Sequence, residues 1–289
     1  MPLQNLSIIG ESINDSVPST QKLYDANDIN GLLELAKSQA AKGAVYLDVN
    51  VGRRTPDFMA DMVRRIQAVT DTPLSIDTPD PEIARAGLAA YDPARAGGKP
   101  PILNSVSQLR LPMLELYRVR PFMPILMVSE RVENGVGQSN ATAEETHRTA
   151  KEMLRAVRDP YGIPNDHCLI DCGIAPIGSD TEGNLNRLLA ALKLLQDDPD
   201  FKGCHRSVGL SNFTVMLPPK RKDGSPVKGP LESAFLTRAM PLGLDWIIGS
   251  MSRKYDILPA DHPAMACLED VLRLDGFDAV MRVKDFYAA

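Results

Sequence analysis

The sequence predicts a single domain with a (β/α)8 barrel fold that includes residues 1–289. Two observations predict it: the chain contains eight short apolar runs, and a segment with helical spacing of apolar residues follows each run. Near-continuous apolar runs are typical of parallel strands covered by helices, and eight such units favour closure into a barrel. An open doubly wound sheet is the alternative, but Gly10-Glu11-Ser12-Ile13 is not a glycine-rich dinucleotide loop.

The predicted strands are the apolar runs, at residues 6–12, 45–51, 74–78, 102–107, 124–129, 168–174, 208–214 and 246–250. The predicted helices follow them, at residues 28–43, 56–69, 81–90, 109–117, 142–157, 182–195, 231–240 and 263–272. Asp28 is expected to cap the first helix and Gly43 to end it. The seventh run ends abruptly in Ser211 and Asn212, which predicts a buried strand with a side-chain amide at its tip.

The composition argues against several classes of protein. With 44% hydrophobic and 24% charged residues, the chain can bury a sizeable core, and disorder is not expected. A net charge of -5 and a pI near 5.5 argue against a surface that binds nucleic acid or an anionic membrane. No apolar run approaches the roughly 18 residues needed to span a bilayer. We therefore expect a soluble cytoplasmic protein.

The four cysteines form no Cys-x-x-Cys pair, so a zinc ribbon, a redox motif and a disulfide scaffold are not indicated. A metal site could be assembled from His167, Cys168, Cys204 and His205. However, these residues fall at the beginnings of their strands, away from the end of a barrel where ligands bind. We expect buried, reduced thiols and no bound metal.

Functional residues of such a barrel gather at the carboxyl ends of the strands. The polar residues at these positions are Glu11, Asn14, Asp48, Asn50, Asp77, Asn104, Ser129, Asp171, Asn212 and Ser250. Histidine, cysteine and lysine are missing from the set, so a nucleophilic triad, a Schiff-base lysine and a histidine-bound metal lack their parts. Carboxylates and amides suit a flat heterocycle that carries N–H donors and ring-nitrogen acceptors.

Two other interpretations of these residues stay open. Asp48, Asn50 and Asp77 are plausible oxygen ligands for Mg²⁺, although nothing else in the sequence marks a phosphate substrate. Some of the polar side chains could instead cap the helices that follow the strands. Thr78 is an example, since it lies just before the helix that begins near Pro81.

The strand ends resemble those of the pterin-binding barrels, and within them the methyltetrahydrofolate:corrinoid-protein methyltransferases. The resemblance extends from residue 8 to about residue 250. Its motifs are Gly10-Glu11-Ser12-Ile13-Asn14, Leu47-Asp48-Val49-Asn50-Val51-Gly52, Ile76-Asp77-Thr78, Leu103-Asn104-Ser105, Leu169-Ile170-Asp171 and Gly209-Leu210-Ser211-Asn212. Ser12 departs from the family, which commonly has arginine there, and Cys172-Gly173 follows Asp171 where related sequences often have proline.

By this resemblance, Asp77, Asn104 and Asp171 would bind the pterin ring. Asn212 would donate a hydrogen bond near N5, the atom that carries the methyl group, and Asp77 would help either to deliver a proton or to hold the ring. Both residues are therefore predicted to be catalytic. The remaining residues expected to contact the substrate are Glu11, Asn14, Asp48, Asn50, Gly209 and Ser211. The family also implies a homodimer.

The expected reaction moves a methyl group between N5 of 5-methyltetrahydrofolate and the cobalt of a corrinoid. The chain has no Asp-x-His-x-x-Gly signature, and we expect no further cobalamin domain, so the corrinoid (cobalamin) would arrive on a separate corrinoid protein. One alternative is a dihydropteroate synthase-like condensation, which Ser252-Arg253-Lys254 superficially suggests. Another is a non-catalytic folate-binding subunit.

A basic segment rich in proline and glycine occupies residues 218–229. It could be a lid that meets the glutamate tail of a folate or an acidic partner, or it could be an exposed, solvated loop. Arg53 and Arg54 follow the second strand, and we expect them to be surface charges.

Overall fold

The computed structural model describes residues 3–288 and contains a closed barrel of eight parallel strands. The strands follow one another around the barrel in chain order, and the first pairs with the last, with Ser7 opposite Trp246. The barrel strands are Ser7–Asn14, Tyr46–Asn50, Leu74–Asp77, Ile102–Val106, Met123–Met127, Leu169–Asp171, His205–Gly209 and Trp246–Gly249. The predicted (β/α)8 barrel is confirmed.

Helices cover the outside of the barrel. The α-helices are Pro18–Asp25, Ile29–Ala41, Pro56–Gln67, Pro81–Ala90, Ala143–Tyr161, Asn184–Asp197, Leu210–Phe213, Lys228–Ala239, Pro263–Val271 and Gly276–Ala288. Short 3-10 helices are Pro93–Ala96, Gln108–Arg118, Asn165–His167, Pro199–Phe201 and Met240–Leu242. Among the described residues, no helix combines the length and apolar character needed to cross a membrane.

The structure contains one of the helix caps expected from the sequence and replaces another. Asp28 caps its helix as predicted, because its carboxylate accepts a hydrogen bond from the Gly31 amide. The cap predicted at Thr78 is wrong. Asp80 caps this helix, because its carboxylate accepts a hydrogen bond from the Glu82 amide at 2.8 Å. The Thr78 hydroxyl accepts from the Asp80 amide, before the helix begins.

Three elements were not predicted. The first strand continues to Asn14 and leads into the helix Pro18–Asp25, which buries only Thr20 and Tyr24 and therefore shows little apolar periodicity. A hairpin of Glu130–Glu133 and Val136–Ser139 follows the fifth strand, and the chain ends in the helix Gly276–Ala288.

The seventh strand corrects the most important local prediction. It begins at His205 and ends at Gly209, and Leu210–Phe213 then forms one helical turn. Leu210 and Phe213 are both buried and lie three residues apart, which is helical spacing, but the short apolar run resembles a strand in the sequence. Asn212 therefore lies on a helical turn, where its side chain is exposed, and not at the tip of a buried strand.

Alternation along the strands determines which side chains face the barrel interior. Ile9, Tyr46, Ile102, Leu169 and Trp246 belong to a small interior cluster, whereas their strand neighbours pack in the larger cluster under the helices. Side chains two positions apart share a face of a strand. The next interior positions after Tyr46, Ile102 and Leu169 are Asp48, Asn104 and Asp171. The apolar cluster thus fills the lower part of the barrel, and the polar side chains lie above it.

Candidate functional site

A cavity of about 890 Å³ lies at the carboxyl ends of the barrel strands. This volume is within the range of roughly 300–1,000 Å³ that is common for small-molecule sites. Nine of the ten residues predicted to contact the substrate line it: Glu11, Asn14, Asp48, Asp77, Asn104, Asp171, Gly209, Ser211 and Asn212. The barrel therefore brings together groups from six strands that are far apart in sequence.

Asp48 and Asp77 are neighbouring carboxyl groups that line this cavity. Burial and the neighbouring Asp77 charge raise the pKa of Asp48 well above its usual value. Burial also raises the pKa of Asp77, but hydrogen bonds from Asn50 and Asp48 oppose this increase. The hydrogen bond between the two carboxyls raises the pKa of Asp48 and lowers that of Asp77, so Asp77 is the more acidic of the two.

Asn50 is the one predicted substrate contact that lies outside the cavity. Its side-chain amide donates to Asp77 Oδ2 at 2.9 Å, and its carbonyl oxygen accepts from the Gly52 amide at 2.8 Å. Both ends of the side chain are therefore engaged within the protein. Asn50 thereby orients the carboxylate of Asp77, and its direct contact with a substrate stays a prediction.

Asp171 is the second buried acid of the cavity, with a relative exposure of 5%. Burial raises its pKa to about 6, although a hydrogen bond from the Gly173 amide and the charge of Arg187 both favour the carboxylate. Gly173 donates to Oδ1 at 2.8 Å. This bond holds the side chain in one orientation toward the cavity.

Asn104 and Asn14 line the cavity with different degrees of freedom. The side-chain NH2 group of Asn104 donates to Asp48 Oδ1 at 3.3 Å. The side-chain oxygen of Asn104 makes no hydrogen bond within residues 3–288. Asn14 Oδ1 instead accepts from both the amide and the hydroxyl of Ser16. Asn104 therefore keeps an acceptor for a ligand, whereas Asn14 mainly shapes the loop after the first strand.

A chain of polar contacts crosses the cavity rim near the seventh strand. The Ser211 hydroxyl donates to Glu11 Oε2 at 2.8 Å. Burial raises the pKa of Glu11, and the Ser211 hydrogen bond and the Arg253 charge oppose this increase. Arg253 also pairs with Glu232, whose side chain is 1% exposed and accepts from the Thr214 hydroxyl. The helical turn that carries Asn212 is thus connected to the first strand and to the loop after the eighth.

Asn212 itself is exposed at the rim of the cavity. Within residues 3–288, its side chain makes no hydrogen bond. A Cβ added at Gly209 would lie 2.9 Å from Asn212 Nδ2, so the amide rests directly against the glycine backbone. The donor and the acceptor of the Asn212 amide are therefore both unengaged at the rim of the cavity.

Lys228 and Arg253 also line the cavity, and they were missing from the predicted contacts. In the sequence, Lys228 belongs to the basic segment at residues 218–229, and Arg253 belongs to the motif Ser252-Arg253-Lys254. The sequence offers a weak signal for Arg253, because it follows the eighth strand. For Lys228 the signal is absent, since it begins the helix Lys228–Ala239 after a long excursion from the seventh strand.

The basic segment is partly packed. Val227 is fully buried, and the Arg221 guanidinium lies 3.7 Å from the centroid of the Phe286 ring. Arg54 is likewise engaged, because it pairs with Asp15 at 2.6 Å and stacks on Tyr24. Arg54 is thus a partly exposed charge that is held by contacts within the protein.

Metal ligands do not cluster in the part of the chain that the structure describes: no group of three or more His, Cys, Asp or Glu side chains is placed to hold an ion. All four cysteines are buried, and burial raises the pKa of the Cys168 and Cys172 thiols to about 12.

Comparison with known proteins agrees with the geometry. The chain is 27% identical over 250 residues to the methylcorrinoid:tetrahydrofolate methyltransferase of Eubacterium limosum, and the alignment covers 82% of each protein. It is 25% identical over 272 residues to the methionine synthase of Mycobacterium tuberculosis, where the alignment covers 88% of this chain and 21% of that one.

Solved structures with a similar fold include dihydropteroate synthases. One from Xanthomonas albilineans with 4-aminobenzoic acid has a TM-score of 0.57 at 21% identity and covers 94% of both chains. Another from Stenotrophomonas maltophilia, with imidazole bound in its active site, has a TM-score of 0.55 at 18% identity and covers 99% of this chain and 94% of that chain. At these identities the likeness shows the fold alone.

The family described as pterin binding enzyme matches residues 13–249, which include the last two residues of the first barrel strand and the other seven strands in full. The match covers most of the chain and includes the strand ends that surround the cavity. The resemblance found in the motifs is thereby confirmed, and the protein belongs to the pterin binding enzyme family.

Proposed function

We propose that this protein is a methyltransferase that moves a methyl group between N5 of 5-methyltetrahydrofolate and the cobalt of a corrinoid carried by a separate protein. The observation that supports it best is the exposed Asn212 amide, which stands at the rim of a cavity with buried carboxylates below. The name of the E. limosum relative, which describes transfer between a methylcorrinoid and tetrahydrofolate, supports the same chemistry.

The lower part of the cavity suits the amino-pyrimidinone edge of a pterin. That edge presents neighbouring N–H donors, and a carboxylate fixed in orientation accepts from them. In this proposal Asp171 and Asp77 accept pterin N–H groups, and the Asn104 oxygen accepts another. Asp77, the more acidic carboxyl of the pair with Asp48, is proposed to carry the negative charge, and Asn50 orients it.

The upper part of the cavity suits the reacting nitrogen. A tertiary amine is a poor leaving group, so N5 must gain a hydrogen bond or a proton as its methyl group departs. A donor placed at that atom stabilises the transition state more than the ground state. Asn212 is proposed as this donor. The proton that N5 finally binds would come from solvent, with Asp77 either relaying it or holding the ring.

The corrinoid supplies the cobalt centre that accepts or gives the methyl group. The cavity lining has no histidine among the described residues, so the chain offers no imidazole there to ligate cobalt. Asn212 and its neighbour Val215 are exposed at the rim, which leaves the reacting end of the cavity accessible to a large partner. A corrinoid protein is therefore proposed as the partner, and the family resemblance further suggests a homodimer.

Anaerobic methyl transfer tests this proposal. The protein is mixed with 5-methyltetrahydrofolate and Co(I) cobalamin, free or on a corrinoid protein, and the loss of the Co(I) absorbance is followed. We expect transfer that depends on the protein. In parallel, condensation of a dihydropterin pyrophosphate with p-aminobenzoate is assayed by product chromatography. Condensation without methyl transfer would replace the proposal with a synthase, and folate binding without either reaction would leave a non-catalytic binding subunit.

A further inference from the structure

The turn after the sixth barrel strand fixes Asp171 through a glycine amide. The Gly173 amide donates to Asp171 Oδ1 at 2.8 Å, and Oδ2 makes no hydrogen bond within residues 3–288. Gly173 has a φ of +68°, and a Cβ added there would lie 2.5 Å from Ser129 Cβ, so this position requires glycine. The orientation of Asp171 therefore depends on the conformation of residues 171–173.

A buried arginine on the next helix holds this turn. Arg187 lies in the first turn of the helix Asn184–Asp197, and its relative exposure is 8%. Its Nη1 donates to the Cys172 carbonyl oxygen at 2.9 Å, and its Nη2 donates to the Gly173 carbonyl oxygen at 3.1 Å. The Cys172 carbonyl and the Gly173 amide belong to one planar trans peptide group, in which C=O and N–H point in opposite directions. Arg187 therefore holds this peptide group from one side, and its N–H points to Asp171 on the other.

The guanidinium of Arg187 carries a buried charge without a direct ion pair in residues 3–288. Its third hydrogen bond goes to the Thr146 hydroxyl at 3.0 Å, and Nε makes none. Burial lowers the pKa of Arg187, and the charges of Asp180 and Asp171 oppose this decrease. Both oxygens of Asp180 already accept from backbone amides at the start of the helix. Asp171 is thus the nearby carboxylate that keeps an oxygen for a ligand.

Arg187 is the charged neighbour that favours the ionised form of Asp171. In the barrel, Asp171 lies opposite Met127 on the fifth strand and Ser207 on the seventh, and neither side chain is charged. Burial raises the pKa of the Cys172 thiol to about 12, so this neighbour is also neutral at neutral pH. Burial raises the pKa of Asp171 to about 6, and a backbone hydrogen bond from the turn and the Arg187 charge oppose this increase. Arg187 contributes to the first of these effects through the turn and to the second directly.

We propose that Arg187 is a positioning residue for the pterin: it directs the Gly173 amide onto Asp171 and supplies the positive charge that keeps the Asp171 carboxylate ionised for binding. This inference rests on the proposed function, in which Asp171 accepts N–H groups of the pterin. Arg187 is not among the residues that line the cavity, so it acts through Asp171 and does not touch the ligand.

The ionisation of Asp171 can be measured in the free protein by NMR. Aspartate is labelled with carbon-13 at Cγ, and the Asp171 signal is identified by its loss in Asp171→Asn. Titration gives the pKa of Asp171 in the unmodified protein, Arg187→Gln, Arg187→Met and Arg187→Lys. The two neutral variants should raise this pKa by about one pH unit, because the opposite charge is lost. Arg187→Lys keeps the charge, so its value should stay close to that of the unmodified protein.

Calorimetric binding of 6-methyltetrahydropterin separates positioning from a general structural effect. The loss of affinity in Arg187→Gln should be about fivefold larger at pH 6 than at pH 8, because a pKa that is higher by one unit leaves fewer ionised carboxyls at the lower pH. A turn that is only displaced would weaken binding by the same factor at both pH values. In an Asp171→Asn background, Arg187→Gln should add no dependence on pH.

Arg120→Gln is the matched control. Arg120 is also half-buried and donates to a backbone carbonyl, that of Leu88 at 3.0 Å, but it lies before the fifth strand, at the other end of the barrel. It should leave the pKa of Asp171 unchanged. An unchanged pKa of Asp171 in either neutral Arg187 variant that unfolds cooperatively would overturn the inference. An equal rise in Arg120→Gln would do the same.

These measurements require no methyl transfer, so they separate the inference from the proposed function. If the pterin binds with the expected dependence on Arg187 but no methyl group moves, the positioning role stands and the reaction must be reassigned. If methyl transfer occurs and the pKa of Asp171 does not depend on Arg187, the reaction stands and the positioning role fails.

Discussion

The side-chain amide of Asn212 rests against the backbone of Gly209, so closely that a Cβ at residue 209 would lie 2.9 Å from Nδ2. The last residue of the seventh strand therefore decides where the amide stands. The φ of Gly209 is -76°, an angle that any residue can adopt, so backbone conformation does not require glycine here. Glycine is suited to this position because the Asn212 amide leaves no space for a Cβ.

Gly209→Ala is predicted to displace the Asn212 amide without unfolding the strand. A displacement of about 1 Å at a catalytic group can cost roughly 10²-fold in rate, so we expect a loss of this order in single-turnover methyl transfer. The thermal unfolding midpoint and the affinity for tetrahydrofolate should change little. An unchanged rate would show that the amide position is not important for the reaction.

Asn212→Ala is predicted to slow methyl transfer by roughly 10² to 10³ and to keep pterin binding within a modest factor, because the donor acts mainly in the transition state. Asn212→Asp is a matched variant with the same shape but no N–H donor at neutral pH, and it should be similarly slow. Single-turnover transfer at the unmodified rate in both variants would remove Asn212 from the mechanism.

Asp171→Asn is predicted to weaken pterin binding, because the amide replaces one acceptor with a donor that opposes the ligand N–H groups. The pKa of Asp171 is raised to about 6 by burial. If the ionised form binds, the affinity should be constant above pH 6 and fall about tenfold per unit below it. Calorimetry from pH 5 to 8 measures this, and Asp171→Asn should show no such slope. An unaltered dissociation constant in the variant at pH 7.5 would count against Asp171 as a pterin ligand.

The stability of the free protein should depend on Asp171 in the opposite direction. Because the pKa in the folded state lies above the usual value of 3.8, the folded protein binds more protons than the unfolded chain between about pH 4 and pH 6. The contribution of this group to the free energy of unfolding is therefore present at low pH and is lost as the pH rises through 6. Comparison of urea unfolding in the unmodified protein and Asp171→Asn isolates it.

Asn50→Ala tests the positioning of Asp77. It removes the hydrogen bond that lowers the pKa of Asp77, so that pKa should rise. We expect the acidic limb of the kcat/KM profile to move toward higher pH by about one unit, with a smaller effect at high pH. A uniform loss at every pH would indicate a merely structural role for Asn50.

The sequence alone indicates which side chains of each strand face the barrel interior. Tyr46 and Asp48, Ile102 and Asn104, and Leu169 and Asp171 are spaced by two residues, so a strand assignment alone places each polar side chain above an interior apolar one. This is why Asp48, Asn104 and Asp171 line one cavity. A local pattern was sufficient for these residues because alternation along a strand is a local property.

The sequence by itself determined the barrel, the apolar base of its interior and the ring of acids and amides above it, because these follow from residue spacing. Only the tertiary structure decided that Asn212 lies on a helical turn, that Asn50 faces Asp77, and that Lys228 and Arg253 border the cavity. These features depend on contacts between distant segments. The Ser211–Glu11 hydrogen bond joins residues 200 positions apart. The Arg253–Glu232 pair joins the loop after the eighth strand to the helix Lys228–Ala239. Contacts between residues so far apart in the chain produce no periodic pattern in the sequence.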